Sequence, residues 1–355
     1  MNRLAKTVLA SLALAGLTYL ARADTWRIVV LPDTQNYTNL DNDLDMDGTS
    51  DYLFHFQNQI DWIVANKAAL NIVFVSHTGD IVQRVHLTNP PTEWLDADEV
   101  MSGLDGVVPY GAVAGNHDIL NSGLFPFNYI IYFGPARYSS YYWYGGSSPN
   151  ELSHYQRFQV QGDYGLYRFT HISAQWQLPG VVDDPTTSLG WVQQVIDRDT
   201  PLRNIIFSTH ATIDTNNEFG AEVWGLDGEN TPEEIRHELL EPNSAAIDLV
   251  LSGHFHAPND GAGYLEVRRT PVLMADYQSF PEGGQGYLRI IEFIEGGGNL
   301  NLDRIQVRTY SPSLDQNLTD PENEFFIDRN FHVLLNPQPD ATPLPRPPGR
   351  GVTPG

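Results

Sequence analysis

The chain has no cysteine, few cations and no long apolar run beyond its first two dozen residues. Without cysteine, disulfides, zinc-thiolate clusters and thiol nucleophiles are excluded, so any chemistry falls to His, carboxylates, amides and hydroxyls. Lys and Arg number 20 against 44 Asp and Glu, a formal net charge of -24 in 355 residues. Such a surface repels polyanions and acidic membranes, which argues against nucleic acid as a main partner. Small phosphate esters remain compatible with it at a metal-neutralised site. No segment past the N-terminal region approaches the roughly 18 apolar residues of a membrane span.

What is present begins with a leader. Arg3 and Lys6 precede the run VLASLALAGLTYL, and Ala21-Arg22-Ala23 has the A-x-A form of a signal-peptidase site. Residues 1–23 are therefore expected to be a cleaved signal peptide, leaving a secreted or periplasmic chain with no membrane attachment; an uncleaved anchor is the alternative. Cleavage would remove three positive charges, Arg3, Lys6 and Arg22, and make the chain more acidic still. Residues 336–355, NPQPDATPLPRPPGRGVTPG, lack core-forming side chains and are expected to be a disordered tail. One domain is expected over 24–335.

Within that domain the β-branched runs RIVVL, NIVFVS, VVPYGAVA, NIIFST and IDLVLS read as buried strands. Residues 52–65, 91–102, 188–199 and 232–240 have helical apolar spacing, so the pattern is that of a layered α/β protein. Later runs, TPVLMADYQ, YLRIIEFI and LDRIQVRTYS, suggest an antiparallel part.

The strand ends carry the chemistry. VLPDTQNY stops an apolar run at Asp33-Thr34-Gln35, and the event recurs at Gly79-Asp80, at Gly115-Asn116-His117-Asp118, at His210, and at Gly253-His254-Phe255-His256. Ligands bind beyond the carboxyl ends of strands in α/β sheets, so these loops are expected to share one crevice. Carboxylates, amides and imidazoles without thiols suit a pair of divalent cations such as Mn, Zn, Fe or Mg.

These blocks, in this order, resemble the calcineurin-like metallophosphoesterases over about residues 28–293. The resemblance implies an α/β fold of two sheets packed as a sandwich with helices on the outer faces. It also implies two metals, one held by Asp33, Gln35, Asp80 and His256 and the other by Asp80, Asn116, His210 and His254, with Asp80 bridging. A hydroxide held between them would attack phosphorus in line. His117 would stabilise the transition state or protonate the leaving oxygen, with Asp118 fixing its tautomer. The chain departs from the family's usual pattern at Gln35, where a His is ordinary. An amide oxygen is a harder and weaker ligand than imidazole, which leans that position toward Mn, Mg or Ca.

Other residues have competing readings. His77 suits a core histidine bound to backbone or a direct catalytic role, Arg84 a surface ion pair or a phosphate grip, and Tyr277 and Gln278 either packing or a cleft wall. The stretch LDNDLDMDGTSD places Asp43, Asp45, Asp47 and Asp51 around Gly48, like the first half of a calcium loop, but Phe54 stands where an EF-hand needs its Glu. A calcium loop outside the EF-hand class and a solvated acidic insertion are the two readings. The expected function is hydrolysis of phosphate mono- or diesters. A nucleotidase or cyclic-nucleotide diesterase is the alternative, and from another class a noncatalytic calcium-dependent secreted binding protein.

Overall fold

The computed structural model describes residues 25–85, 90–120, 124–221, 228–296 and 303–334; the expected leader and tail lie outside the described residues. The strands, in chain order, are β1 (Thr25–Leu31), β2 (Ile72–His77), β3 (Tyr110–Ala112), β4 (Tyr144–Ser147), β5 (His154–Gln161), β6 (Leu166–Ala174), β7 (Asn204–Thr209) and β8 (Ile247–Ser252). They continue as β9 (Ala262–Val267), β10 (Thr270–Ala275), β11 (Leu288–Ile294), β12 (Arg304–Ser311), β13 (Gln316–Leu318), β14 (Phe325–Asp328) and β15 (Val333–Leu334). One sheet has the order β13-β12-β11-β1-β2-β3 with β14 beside β12. The other has the order β4-β5-β6-β7-β8-β10-β9 with β15 beside β6.

Side-chain alternation explains the layering. On β1, Ile28 and Val30 point into a core shared by the two sheets, where they meet Phe74, Ile206, Leu249 and Leu273. Val29 and Leu31 point the other way, into a core with Val75 and the helical residues Phe56, Ile60, Ile63, Trp94 and Met101. The second sheet repeats this, with Ile205, Phe207, Val250 and Met274 packed under Leu189, Val192, Val195 and Ile196 of helix Ser188–Asp199. Both faces of each central strand are buried, which is why the runs read as continuous apolar segments. The fold is the expected α/β sandwich of two sheets between helices.

Helix Ser188–Asp199 has the expected bounds, and Leu53–Asn66 and Thr92–Ser102 lie within a residue of theirs. The segment 232–240 is helical as expected, α over Pro232–Ile235 and the wider π form over Arg236–Leu240. The late run TPVLMADYQ, as β10, pairs in parallel with β8 and antiparallel with β9, while β11 and β12 are antiparallel in the other sheet.

Strands β5 and β6 carry Phe158, Val160, Tyr167 and Phe169 into the core between the sheets, and also bury polar side chains that interrupt the apolar run. His154 Nε2 donates to the Ala112 carbonyl at 3.0 Å, and Gln156 Nε2 donates to His154 Nδ1. His171 Nδ1 donates to Gln156 Oε1 at 3.1 Å, and His171 Nε2 accepts from the Ser76 and Ser208 hydroxyls at 2.9 and 2.8 Å. Each member has a partner, so the polar seam is compatible with burial.

Candidate metal centre

The turns after β1, β2, β3, β7 and β8 meet at one end of the sandwich. Ligand atoms of Asp80, His210 and His254 lie within 4.8 Å of one another. His210 fixes the geometry: its Nδ1 donates to the Thr78 carbonyl at 3.0 Å, which turns Nε2 toward the cluster. Around that Nε2 stand Asn116 Oδ1 at 3.0 Å, Asp80 Oδ2 at 3.2 Å and Asp33 Oδ2 at 4.0 Å. Asp33 is further tethered by the His254 backbone N–H, 3.3 Å from each carboxylate oxygen.

The backbone is shaped for this crowding. Asp80 and His254 sit at φ 49 and 72, in the left-handed region that costs a residue with a Cβ about 1–3 kcal/mol. A Cβ on Gly115 would stand 2.2 Å from Asp80 Oδ1, and one on Gly253 would stand 2.0 Å from Asp33 Oδ1. The glycines of two motifs are therefore the space that the carboxylates of two others occupy.

Gln35 is buried, and its Nε2 donates to Gln278 Oε1 while its Oε1 is buried with no hydrogen-bond partner. An orphaned buried acceptor two residues from Asp33 has the character of a cation ligand. His256 is exposed, with Nδ1 on the Ser279 hydroxyl, and lies outside the tight Asp80–His210–His254 group.

His117 stands at the edge of the site. Its backbone N–H donates to Asp80 Oδ1 at 2.8 Å, and its Nδ1 donates to the Gln83 carbonyl at 2.8 Å, leaving Nε2 as the nitrogen available to a substrate. The expected Asp118 contact is therefore corrected. Asp118 accepts from the backbone of Ile81 at 2.9 Å, Val82 at 3.2 Å and Gly115 at 2.8 Å, and so ties the turn after β2 to the turn after β3. Adjacent residues on the short helix Asn116–Ile119 do not face each other, which is the physical reason.

The electrostatics demand positive charge. Burial, Asp276 and Asp80 push the Asp33 carboxyl well above its ordinary range. Burial also raises Asp276, to about 6, against the pull of His256. Asp118 is pushed up to about 8 by burial and Asp80. Burial would raise Asp80 too, but His210 above all, with His117 and His254, holds it below the usual carboxylate range. Burial lowers His210, but the Asp80 charge and hydrogen bond, the Thr78 carbonyl and Asp118 together raise it, while His254 is lowered to about 3 by burial and the His210 charge. Buried like charges of this kind are stabilised by bound cations. The donor set, the orphaned Gln35 oxygen and the carboxylate excess all fit divalent metal.

Asp276 and the Gln83 carbonyl escaped the sequence reading. Asp276 ends an apolar run, VLMAD, as Asp33 does, which was the available signal. Trp176 was also unmarked; its ring lies 4.6 Å from that of His254 and 5.4 Å from that of His210. His77 proves to be a brace: Nδ1 accepts from the Gly79 backbone at 3.1 Å, and Nε2 donates to Thr34 Oγ1 at 2.9 Å, which itself donates to the Ile81 carbonyl at 3.1 Å. Arg84 pairs with Asp41 and approaches Glu93. The Tyr277 hydroxyl is spent on Asn323 and Thr309. In the acidic insertion Asp43, Asp45 and Asp47 come together, whereas Asp51 accepts from the Leu44 backbone at 3.1 Å. The Asp43, Asp45 and Asp47 carboxylates likewise accept from the loop's own N–H groups.

Two sheets clad in helices, with carboxylates, an amide and imidazoles converging beyond the parallel strands, make a candidate metal centre on an α/β sandwich. The chain belongs to the calcineurin-like phosphoesterase family, whose model matches residues 27–258. It is similar to the uncharacterized protein YvnB of Bacillus subtilis (strain 168), at 33% identity over 312 residues. That match covers 84% of this chain but only 21% of the relative's length. Among solved structures it resembles a dimetal phosphatase from Danio rerio, with TM-score 0.51 and 12% identity over 86% of this chain and 99% of the other. It also resembles GAP50, the anchor in the inner membrane complex of Plasmodium, with TM-score 0.51 and 11% identity over 87% of this chain and 89% of that one. At such identities these two likenesses concern the fold. Among the described residues no helix is long and apolar enough to cross a membrane.

Proposed function

We propose that the protein is an exported phosphoesterase that hydrolyses small phosphate mono- or diesters with two divalent metal ions. The observation that carries this reading is the position of Asp80. One oxygen faces His210 Nε2 at 3.2 Å, beside Asn116 and Asp33, and the other is anchored by the His117 backbone at 2.8 Å. A carboxylate so placed can serve two cations about 3.5–4 Å apart. Asp33, Gln35, Asp80 and His256 would hold one ion, and Asp80, Asn116, His210 and His254 the other; for His256 this requires its exposed ring to turn inward.

When bound, such a pair supplies Lewis acidity that lowers the pKa of water and offsets charge on phosphoryl oxygens. The protein's own groups do the rest. His117, its Nδ1 proton committed to Gln83, presents Nε2 to the leaving oxygen and can carry a proton there. Thr34, His77 and Asp118 hold the ligand-bearing turns in register. The leader-like N-terminus supports export.

The test is activity of the chelated, full-length protein reloaded with Mn, Zn, Fe, Mg or Ca, on p-nitrophenyl phosphate, bis-p-nitrophenyl phosphate, nucleotides and cyclic nucleotides. Metal-dependent turnover of a simple ester is expected. Preference for the nucleotide arms would favour the nucleotidase or cyclic diesterase reading. Absence of turnover on every ester with both metals bound would overturn the enzyme reading in favour of a binding protein.

A further inference from the structure

Three side chains from two distant segments, Asp276 and Gln278 after β10 and Gln35 after β1, form a directed hydrogen-bond relay that ends at the orphaned Gln35 oxygen. Asp276, wholly buried after β10, accepts the Gln278 backbone N–H on Oδ1 at 2.9 Å and the Gln278 side-chain Nε2 on Oδ2 at 2.9 Å. Gln278 therefore turns its Oε1 away from Asp276. That oxygen accepts Gln35 Nε2 and is also approached by Asn36 Nδ2 at 3.5 Å. Gln35 must then turn its own Oε1 the opposite way, where it has no protein partner.

An amide is ambiguous: rotation by half a turn exchanges its donor for its acceptor at almost no steric cost. A carboxylate is not, because it only accepts. We propose that Asp276 is a positioning residue that sets the polarity of both amides and thereby makes Gln35 face the metal with oxygen rather than with NH2. This rests on the reading of Gln35 as a metal ligand. It explains how an amide can stand in a position where an imidazole is ordinary: without an orienting partner, half of its rotamers would present a repelling donor to the cation.

The relay makes a prediction that a merely structural role does not. In Asp276→Asn the Asn oxygen stays with the Gln278 backbone N–H, so its NH2 meets the Gln278 side chain and inverts it. Gln278 then donates to position 35, and Gln35 shows NH2 to the metal. Adding Gln35→Glu on that inverted background restores a ligand, since Glu accepts from Gln278 with one oxygen and offers the other.

The experiment is Mn binding to chelated full-length protein at pH 8, read by electron paramagnetic resonance and calorimetry, for wild type, D276N, Q35E, the D276N/Q35E double variant, Q35L and Q278M. D276N is expected to weaken one Mn site about 10–100-fold, the range for partners that orient a metal ligand. The double variant is expected to bind within a few-fold of wild type. Q278M, which cuts the relay without inverting it, is expected to lose less than D276N and still tests the relay if D276N does not fold. Unchanged Mn affinity in both D276N and Q278M overturns the proposal. A double variant no better than D276N overturns it too, and points to direct contact of Asp276 with the ion. If Q35L binds both Mn ions like wild type, the ligand reading of Gln35 itself fails, and the proposal falls with it.

Discussion

The imidazole of His117 gives its Nδ1 proton to the Gln83 carbonyl, 2.8 Å away, while its backbone N–H holds Asp80 Oδ1 at the same distance. On the proposed function, side chain and backbone have separate tasks, proton handling and support of Asp80. Replacing His117 by Ala removes the first and keeps the second. The expected outcome is a kcat lowered by about 10²–10⁴, the usual worth of an acid-base group, with metal content unchanged by elemental analysis. Loss of metal in parallel with activity would make the side chain a ligand instead.

Asp80→Asn probes the shared oxygen. Asn tolerates the left-handed φ of 49 that Asp80 adopts, so the turn is retained and only the negative charge is lost. Both metals should dissociate and turnover should fall to background. Two tightly bound ions with near-wild-type activity would refute the bridging assignment.

Much of this centre was legible because each of its turns follows an apolar strand and departs from it abruptly: Asp33, Asp80, His210 and His254 each end a β-branched run. The relay was not, since its decisive contact joins Gln35 to Gln278 across 243 positions and involves neither a glycine nor a histidine. Strands β5 and β6 were hidden for a related reason. His154, Gln156 and His171 satisfy one another inside the sandwich, so buried polar letters interrupt the apolar positions Phe158, Val160, Tyr167 and Phe169. Adjacency misled at His117-Asp118, where helix geometry sends successive side chains in different directions.

Two glycine substitutions separate site crowding from backbone strain. Gly253→Ala puts a Cβ 2.0 Å from Asp33 Oδ1 and 3.0 Å from Thr78 Oγ1, so the carboxylate must move. A stability loss of about 1–3 kcal/mol, typical of overpacking, is expected together with weakened metal binding. Gly48→Ala meets nothing within 4 Å but sits at φ +96, and should cost about 1 kcal/mol with activity intact. Denaturant midpoints and Mn titrations of the two variants decide the matter; equal metal affinity in both would contradict the crowding account.

The last expectation concerns pH. The carboxyls of Asp33, Asp118 and Asp276 have folded pKa values raised above the unfolded 3.8, to about 8 for Asp118 and about 6 for Asp276, with burial the main cause. Their contribution to stability is present below pH 3.8 and lost as pH rises through the folded values. The buried imidazoles behave in the opposite sense. His77 and His154 are lowered from 6.5 to about 3 and about 4 by burial, so their contribution is present above 6.5 and lost as pH falls through the folded values. Metal-free protein should therefore lose Tm as pH rises through about 6 and about 8, where Asp276 and Asp118 must ionise inside the fold. Cations need deprotonated ligands, so Mn should restore the alkaline side, where the carboxylates are charged, and leave the acid side almost unchanged. Thermal unfolding across pH 4.5–8.5 in chelator and in excess Mn tests this. A metal-induced rise in Tm that is constant across that range, or largest at pH 4.5, would show that the buried carboxylates are not what the metal stabilises.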